Sequence, residues 1–201
     1  VDLTKWTAIT YTDAKAGVGG ADTVLLEGQT FQNRDLLYAM MLSSDNRVPT
    51  ALARSVGLGP AELLDKVQHA AADLGLAHTK FADTTGILGN ESTAREMALA
   101  LRETLRDPVL ARFMTTRYAK VVSRSEEITA NYTSTVQPLW DKRYTIRGGK
   151  TGHTEAAGYC LIISVVLGER TVVMAFLGGK TPGARFADFS ALAAWLTPAK
   201  P

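Results

Sequence analysis

Two short polar tripeptides carry the groups best suited to chemistry in this 201-residue sequence: Ser44-Asp45-Asn46 and Lys150-Thr151-Gly152. The first sets a hydroxyl and a carboxamide at an interruption in a helical pattern. The second sets an ammonium and a hydroxyl directly after a strand-like run. Such groups serve nucleophilic and acid–base catalysis, although either tripeptide taken singly reads as a solvated helix break or a strand-end turn. Phosphate binding is a rival, since Gly149-Lys150-Thr151 and Gly179-Lys180-Thr181 look like parts of a phosphate loop. That loop requires a glycine five positions earlier, where this sequence has Tyr144 and Met174. His69, His78 and His153 are widely spaced and form no ligand pattern, so no metal centre and no cofactor is expected. Cys160 is the one cysteine, and its neighbours Leu161, Ile162 and Ile163 mark it as a buried packing residue rather than a reactive thiol.

The elements that must position these residues are readable in outline. Trp6 to Thr12 is rich in β-branched and aromatic residues and predicts an extended segment, followed by a loop at Gly17, Gly19 and Gly20. From Asn33 to Val56 the apolar residues recur at helical spacing, interrupted at Ser43-Ser44-Asp45-Asn46, which predicts two helices meeting at a polar junction. A third helix is expected from Pro60 to Leu74, with Gly75 as its cap and Leu63, Leu64, Val67, Ala71 and Leu74 as its core face. Thr93-Ala94-Arg95-Glu96 fits a capping box and opens a helix to about Arg106. Thr115 to Trp140 is mixed, with strand-like Tyr118 to Val122 and a polar section around Glu126 to Asn131, and predicts no definite fold. Tyr144 to Gly148 predicts a strand, Tyr159 to Leu167 and Thr171 to Leu177 a hairpin turning at Gly168-Glu169, and Arg185 to Leu196 a closing helix. The chain is therefore α/β, an antiparallel sheet with a helical block.

Composition bounds the function. The charged fraction of 21% and the net charge of +2 give no reason to expect nucleic acid as a partner. Tyr159 to Leu167, the longest apolar stretch, falls well short of the roughly 20 residues that cross a bilayer, so a soluble chain is expected. The opening Val1 suggests a processed chain or a fragment.

Taken together and in this order, the two tripeptides resemble two of the three motifs of penicillin-interacting serine enzymes, whose third is Ser-x-x-Lys. The resemblance is to the low-molecular-mass penicillin-binding proteins, the serine-type D-alanyl-D-alanine carboxypeptidases and endopeptidases. It runs from near the first residue to Trp195. Gly28-Gln29 and Asp35-Leu36-Leu37 belong to it, as do Leu74-Gly75-Leu76, Gly86-Ile87 and Ser92 through Ala98, then Lys150 through Thr154 and Ala157-Gly158-Tyr159. Class A β-lactamases share the tripeptides, but no Glu-x-x-Leu-Asn-like segment stands between them here, which favours a peptidase. The resemblance implies a penicillin-binding, β-lactamase/DD-peptidase-like transpeptidase fold in one domain over 1–201. In it a helical region at about 33–115 is inserted relative to a sheet-forming region at about 144–201. It also implies a bacterial, periplasmic or otherwise extracytoplasmic location.

The sequence departs from that family upstream. The only candidate for Ser-x-x-Lys ahead of Ser44 is Asp2-Leu3-Thr4-Lys5, with an aspartate in the serine position and extended-looking residues after it. The expectation is that the N-terminal part of the fold, with its nucleophile, lies before Val1, removed by processing, by truncation, or carried on a companion segment. The alternative is a catalytically inactive pseudoenzyme that binds muropeptides or regulates a partner. A missing helix would leave an exposed apolar patch where it normally packs.

Family roles then follow by resemblance. Ser44 and Lys150 form the proton relay to the departing D-alanine nitrogen, and Asn46 holds a lysine ammonium and the substrate carbonyl. His153 gives its backbone N–H to the oxyanion hole. Thr151, Gly152, Thr154 and Arg185 meet the substrate, Arg185 as the partner of its terminal carboxylate. A side chain at Gly152 would obstruct a peptide lying along the strand. The partners implied are peptidoglycan stem peptides ending in D-Ala, and β-lactams.

Overall fold

The computed structural model describes residues 1–21 and 24–197. Two compact units alternate along the chain: the first takes residues 1–91 and 118–133, the second 92–117 and 134 onward.

In the first unit, strand β1 (Trp6–Ala8) pairs antiparallel with β2 (Thr30–Gln32). The extended segment expected to reach Thr12 stops at Ala8, because helix α1 (Tyr11–Ala16) begins there. Thr10 and Asp13 form a reciprocal capping box, and this local Thr-x-x-Asp signal outweighs the β-propensity of Tyr11 and Thr12. Helices α2 (Asn33–Ser43) and α3 (Val48–Ser55) meet at the expected polar junction. Helix α4 (Pro60–Asp73) starts on Pro60, with the Glu62 carboxylate accepting the Gly59 N–H at 2.7 Å, and Gly75 follows at φ +69°. Its expected core face is only partly covered: Ala71 is buried, Leu63, Leu64 and Val67 are half-buried, and Leu74 is exposed. The strand-like run Tyr118 to Val122 is strand β3 (Tyr118–Val122), and it forms a hairpin with β4 (Thr129–Thr133), the part of this stretch that periodicity left open. Ala119, Val121, Ala130 and Tyr132 face inward in strict alternation, and α2 packs against both strands.

The second unit opens with α5 (Ala94–Thr104), whose Thr93 hydroxyl accepts the Glu96 N–H at 3.2 Å. Helix α6 (Pro108–Thr115) was not legible from periodicity, yet Asp107-Pro108 announces it: the Asp107 carboxylate accepts from Val109 and Leu110 N–H. Strands β5 (Thr145–Thr154), β6 (Gly158–Leu167) and β7 (Arg170–Gly179) form an antiparallel sheet in that order, and α7 (Ala184–Leu196) follows. The strand expected to end at Gly148 runs to Thr154, so Lys150-Thr151-Gly152 lies inside β5 and not after it. Three glycines in five residues hid this continuation, since glycine lowers strand propensity. Gly148 and Gly149 are there for packing. An added Cβ would meet Leu105 at 2.4 Å from Gly148 and Val136 at 3.0 Å from Gly149, so elements close on both faces of β5. Leu161, Ile163, Val165 and Leu167 of the central strand form a core with Val136, Leu139, Met174, Phe189 and Ala193.

Candidate active site

Ser44 ends α2 in the left-handed conformation, φ 61° and ψ 38°, where glycine is the usual residue. Its N–H donates to Met40 O at 3.0 Å and the Asp45 N–H to Ala39 O at 3.3 Å, a tight helix terminus. A serine held there costs on the order of 1 kcal/mol, a strain that the surrounding turn sustains. Buried Asp45 fastens the next helix by accepting the Arg47 N–H at 3.1 Å. Asn46 is gripped on both sides: its Oδ1 accepts the Ala21 N–H at 3.0 Å and its Nδ2 donates to Thr85 O at 2.9 Å. An amide of this kind retains one further hydrogen and one further lone pair for other partners.

In the second unit β5 is an edge strand among the described residues, and Lys150 through Thr154 lie along it. The Lys150 ammonium donates to Thr151 O at 2.9 Å. Burial, assisted by the charge of Arg185, lowers its pKa to about 8. Thr151 is buried, its hydroxyl 2.5 Å from that of Thr135. Among the described residues nothing lies within 4 Å of a Cβ added at Gly152, so this glycine, unlike Gly148 and Gly149, is not dictated by a packed neighbour. The exposed His153 ring stacks on Tyr159 at 3.9 Å. The Thr154 hydroxyl accepts the Ala157 N–H at 3.0 Å and holds the β5–β6 turn.

Arg185 is more than a charge opening α7. Its Nη1 donates to Gly152 O at 3.0 Å and Cys160 O at 3.1 Å, and its guanidinium lies 5.4 Å from the Tyr159 ring centre and 4.9 Å from that of Phe186. Its Nε is buried without a hydrogen-bond partner among the described residues, and burial lowers its pKa. The second unit thus brings Lys150, Gly152 and Arg185 together on one strand edge, while Ser44 and Asn46 belong to the first unit.

Several contributors escaped the sequence reading. Thr135 pairs with Thr151, and Tyr159, noted only as part of a motif, is the platform for both His153 and Arg185. Cys160, expected to be buried, is half-buried, with its thiol 3.6 Å from Ala157 O. No described helix is long and apolar enough to cross a membrane.

The Lys-Thr-Gly segment on an antiparallel sheet and the Ser-x-Asn turn between two helices are two of the three motifs of the penicillin-interacting class. Residues 2–181 match the family model described as D-alanyl-D-alanine carboxypeptidase, and the chain belongs to that family. It is 30% identical over 170 residues to the D-alanyl-D-alanine endopeptidase of Pseudomonas aeruginosa, covering 84% of this chain and 55% of that protein. Against the D-alanyl-D-alanine endopeptidase of Escherichia coli it is 28% identical over 168 residues, covering 83% and 54%. The chain therefore spans about half the length of these curated relatives. Among solved structures, the Streptomyces K15 DD-transpeptidase superposes with a TM-score of 0.86 at 26% identity, over 97% of this chain and 79% of that one. The expected penicillin-binding fold of antiparallel sheet and helices is the fold observed. No Ser-x-x-Lys occurs anywhere in the 201 residues.

Proposed function

We propose that this chain carries most of the catalytic machinery of a bacterial, extracytoplasmic serine-type DD-peptidase. Its substrates are peptidoglycan stem peptides ending in D-Ala, cut as a carboxypeptidase or as a cross-link endopeptidase, and β-lactams acylate it. The nucleophile comes from a Ser-x-x-Lys outside these 201 residues. The observation that carries the reading is Lys150, with a pKa lowered to about 8 on a strand edge that is open at Gly152 and flanked by Arg185.

The chemistry needs these parts. The serine oxygen bonds to the carbonyl carbon of the penultimate D-Ala, the C–N bond to the terminal residue breaks, and the leaving nitrogen takes a proton. An ammonium with a pKa near 8 gives up and regains a proton close to neutral pH, which suits a proton-relay role for Lys150, and Ser44 supplies the hydroxyl that its motif implies. Asn46 holds the substrate carbonyl. The His153 N–H faces the developing oxyanion, and a donor of this kind contributes about 3 kcal/mol to the transition state. The substrate lies extended along β5, admitted by the bare Gly152, with Thr151 and Thr154 beside it and its carboxylate toward Arg185.

Fluorescent penicillin followed by a denaturing gel and an intact-mass spectrum tests this. The full-length protein should carry one penicilloyl group on the serine of a Ser-x-x-Lys, and the 201-residue chain alone should carry none. A full-length protein that stays unlabelled yet binds a D-Ala-D-Ala peptide would leave the pseudoenzyme alternative standing in place of this one.

A further inference from the structure

We infer that Asp83, 37 positions from Asn46 in sequence, is a positioning residue for Asn46. Its carboxylate shapes the loop whose Thr85 carbonyl orients the Asn46 amide. The inference rests on the role proposed above for Asn46, and it adds a residue that the motifs do not contain.

Residues 80–91 hold no helix or strand, yet they are tied at three levels. At the base, Lys80 N–H donates to Glu91 O at 2.8 Å and Glu91 N–H to Lys80 O at 2.9 Å. Above it, Asn90 Oδ1 accepts from Ala82 N–H at 2.7 Å and Asp83 N–H at 3.0 Å, and its Nδ2 donates to Asp83 O at 3.2 Å. At the tip, Asp83 gathers the turn around its carboxylate. Oδ1 accepts Gly86 N–H at 2.9 Å, and Oδ2 accepts Ile87 N–H at 3.1 Å, Leu88 N–H at 3.3 Å and the Thr85 hydroxyl. Burial works to raise the pKa of this carboxyl, but the Thr85 hydroxyl and the three N–H donors outweigh it and hold the group below its ordinary range.

The loop reaches Asn46 through one bond, from Asn46 Nδ2 to Thr85 O, and Thr85 lies inside the turn that Asp83 closes. On the other side of the amide, Ala21 N–H fixes Oδ1. An acceptor on one side and a donor on the other leave a single favourable orientation, because a flipped amide would set N–H against N–H and oxygen against oxygen. The fit is close at the Oδ1 end, since a Cβ at Gly20 would lie 2.1 Å from Asn46 Oδ1. The remaining amide hydrogen and lone pair are therefore presented in one direction only, which is what holding a substrate carbonyl and an ammonium requires.

The test uses the full-length protein, labelled with 15N, as wild type, Asn46→Ala, Asp83→Ala and the double variant. Two readouts are taken. One is the side-chain amide resonance pair of Asn46, identified by its loss in Asn46→Ala. The other is the rate of acylation by fluorescent penicillin. Asp83→Ala should move that resonance pair and speed its exchange with solvent, and should lower acylation by about 10- to 100-fold, the scale of a slightly misplaced group. Added to Asn46→Ala, the same change should lower the rate less than about twofold, because the two residues act through one another. Unmoved Asn46 resonances in Asp83→Ala, or an equal loss of rate with and without Asn46, would overturn the inference. If Asp83→Ala does not fold, Asp83→Asn keeps the side-chain shape with a weaker acceptor, and its Asn46 resonances decide in the same way. If the wild type itself is never acylated, the proposed peptidase activity fails while the resonance arm still decides whether Asp83 orients Asn46.

Discussion

Arg185 at the start of α7 and Gly152 within β5 are joined by a 3.0 Å hydrogen bond from guanidinium to backbone carbonyl. The same nitrogen reaches Cys160 O on the neighbouring strand, so a partly buried cation pins the end of the strand pair that carries Lys150 and Gly152. The sheet edge and its electrostatics are therefore one construction.

Removing the Arg185 charge should raise the Lys150 pKa, because a positive neighbour favours the neutral amine. In Arg185→Ala the value should rise from about 8 but stay below the ordinary 10.5, because burial is the larger cause, and the neutral fraction at pH 7, roughly a tenth at a pKa of 8, should shrink accordingly. Reductive 13C-methylation and NMR titration, with Lys150→Arg for assignment, reads this directly. An unmoved titration would mean that burial alone lowers the Lys150 pKa.

The same lysine sets a pH dependence of stability. Its folded pKa lies below its unfolded one, so between about pH 8 and 10.5 the unfolded chain binds the proton more tightly and stability rises with pH. Lys150→Met removes that penalty. The variant should be more stable than wild type below pH 8, by on the order of 2 kcal/mol, and should lose the advantage by pH 10.5. Urea unfolding at pH 7 and pH 10.5 measures the difference.

Asp13 holds α1 in place. Its buried carboxylate accepts from Thr10 N–H and hydroxyl at 2.8 Å each and from Arg54 at 2.6 Å. Burial acts to raise its pKa, and the hydrogen bonds from Thr10, Arg54 and Thr50 outweigh it, leaving the group below the usual carboxylate value of 3.8. Its contribution is thus complete above the unfolded pKa and disappears as pH falls through the folded one. Asp13→Ala should destabilise the protein by about 2–3 kcal/mol at pH 7, and by less in acid, as thermal unfolding at pH 7 and pH 3 would register.

The proposed role of His153 belongs to its backbone. Its ring is exposed and stacked on Tyr159. His153→Pro deletes the N–H and should acylate about 100- to 1000-fold more slowly than His153→Ala, which keeps it. Circular dichroism of both variants verifies that the sheet survives. Equal rates would place the oxyanion donor elsewhere.

Much was determined by the sequence alone. The helix pair around Ser44-Asp45-Asn46, the hairpin at Gly168-Glu169 and the closing helix follow from apolar period and turn residues, which are local signals. The two tripeptides and their order were enough to point to the family. What periodicity missed was local order carried by few residues, as in α1 and α6, or masked by glycine, as in the continuation of β5 through Lys150-Thr151-Gly152. Only the tertiary structure decided what each site residue touches. Thr151 meets Thr135, Arg185 crosses to Gly152 and Cys160, and Asn46 is clasped between Ala21 and Thr85. Those partners lie 16 to 39 positions away in sequence, and a separation of that size is closed by packing, which no window of neighbouring residues encodes.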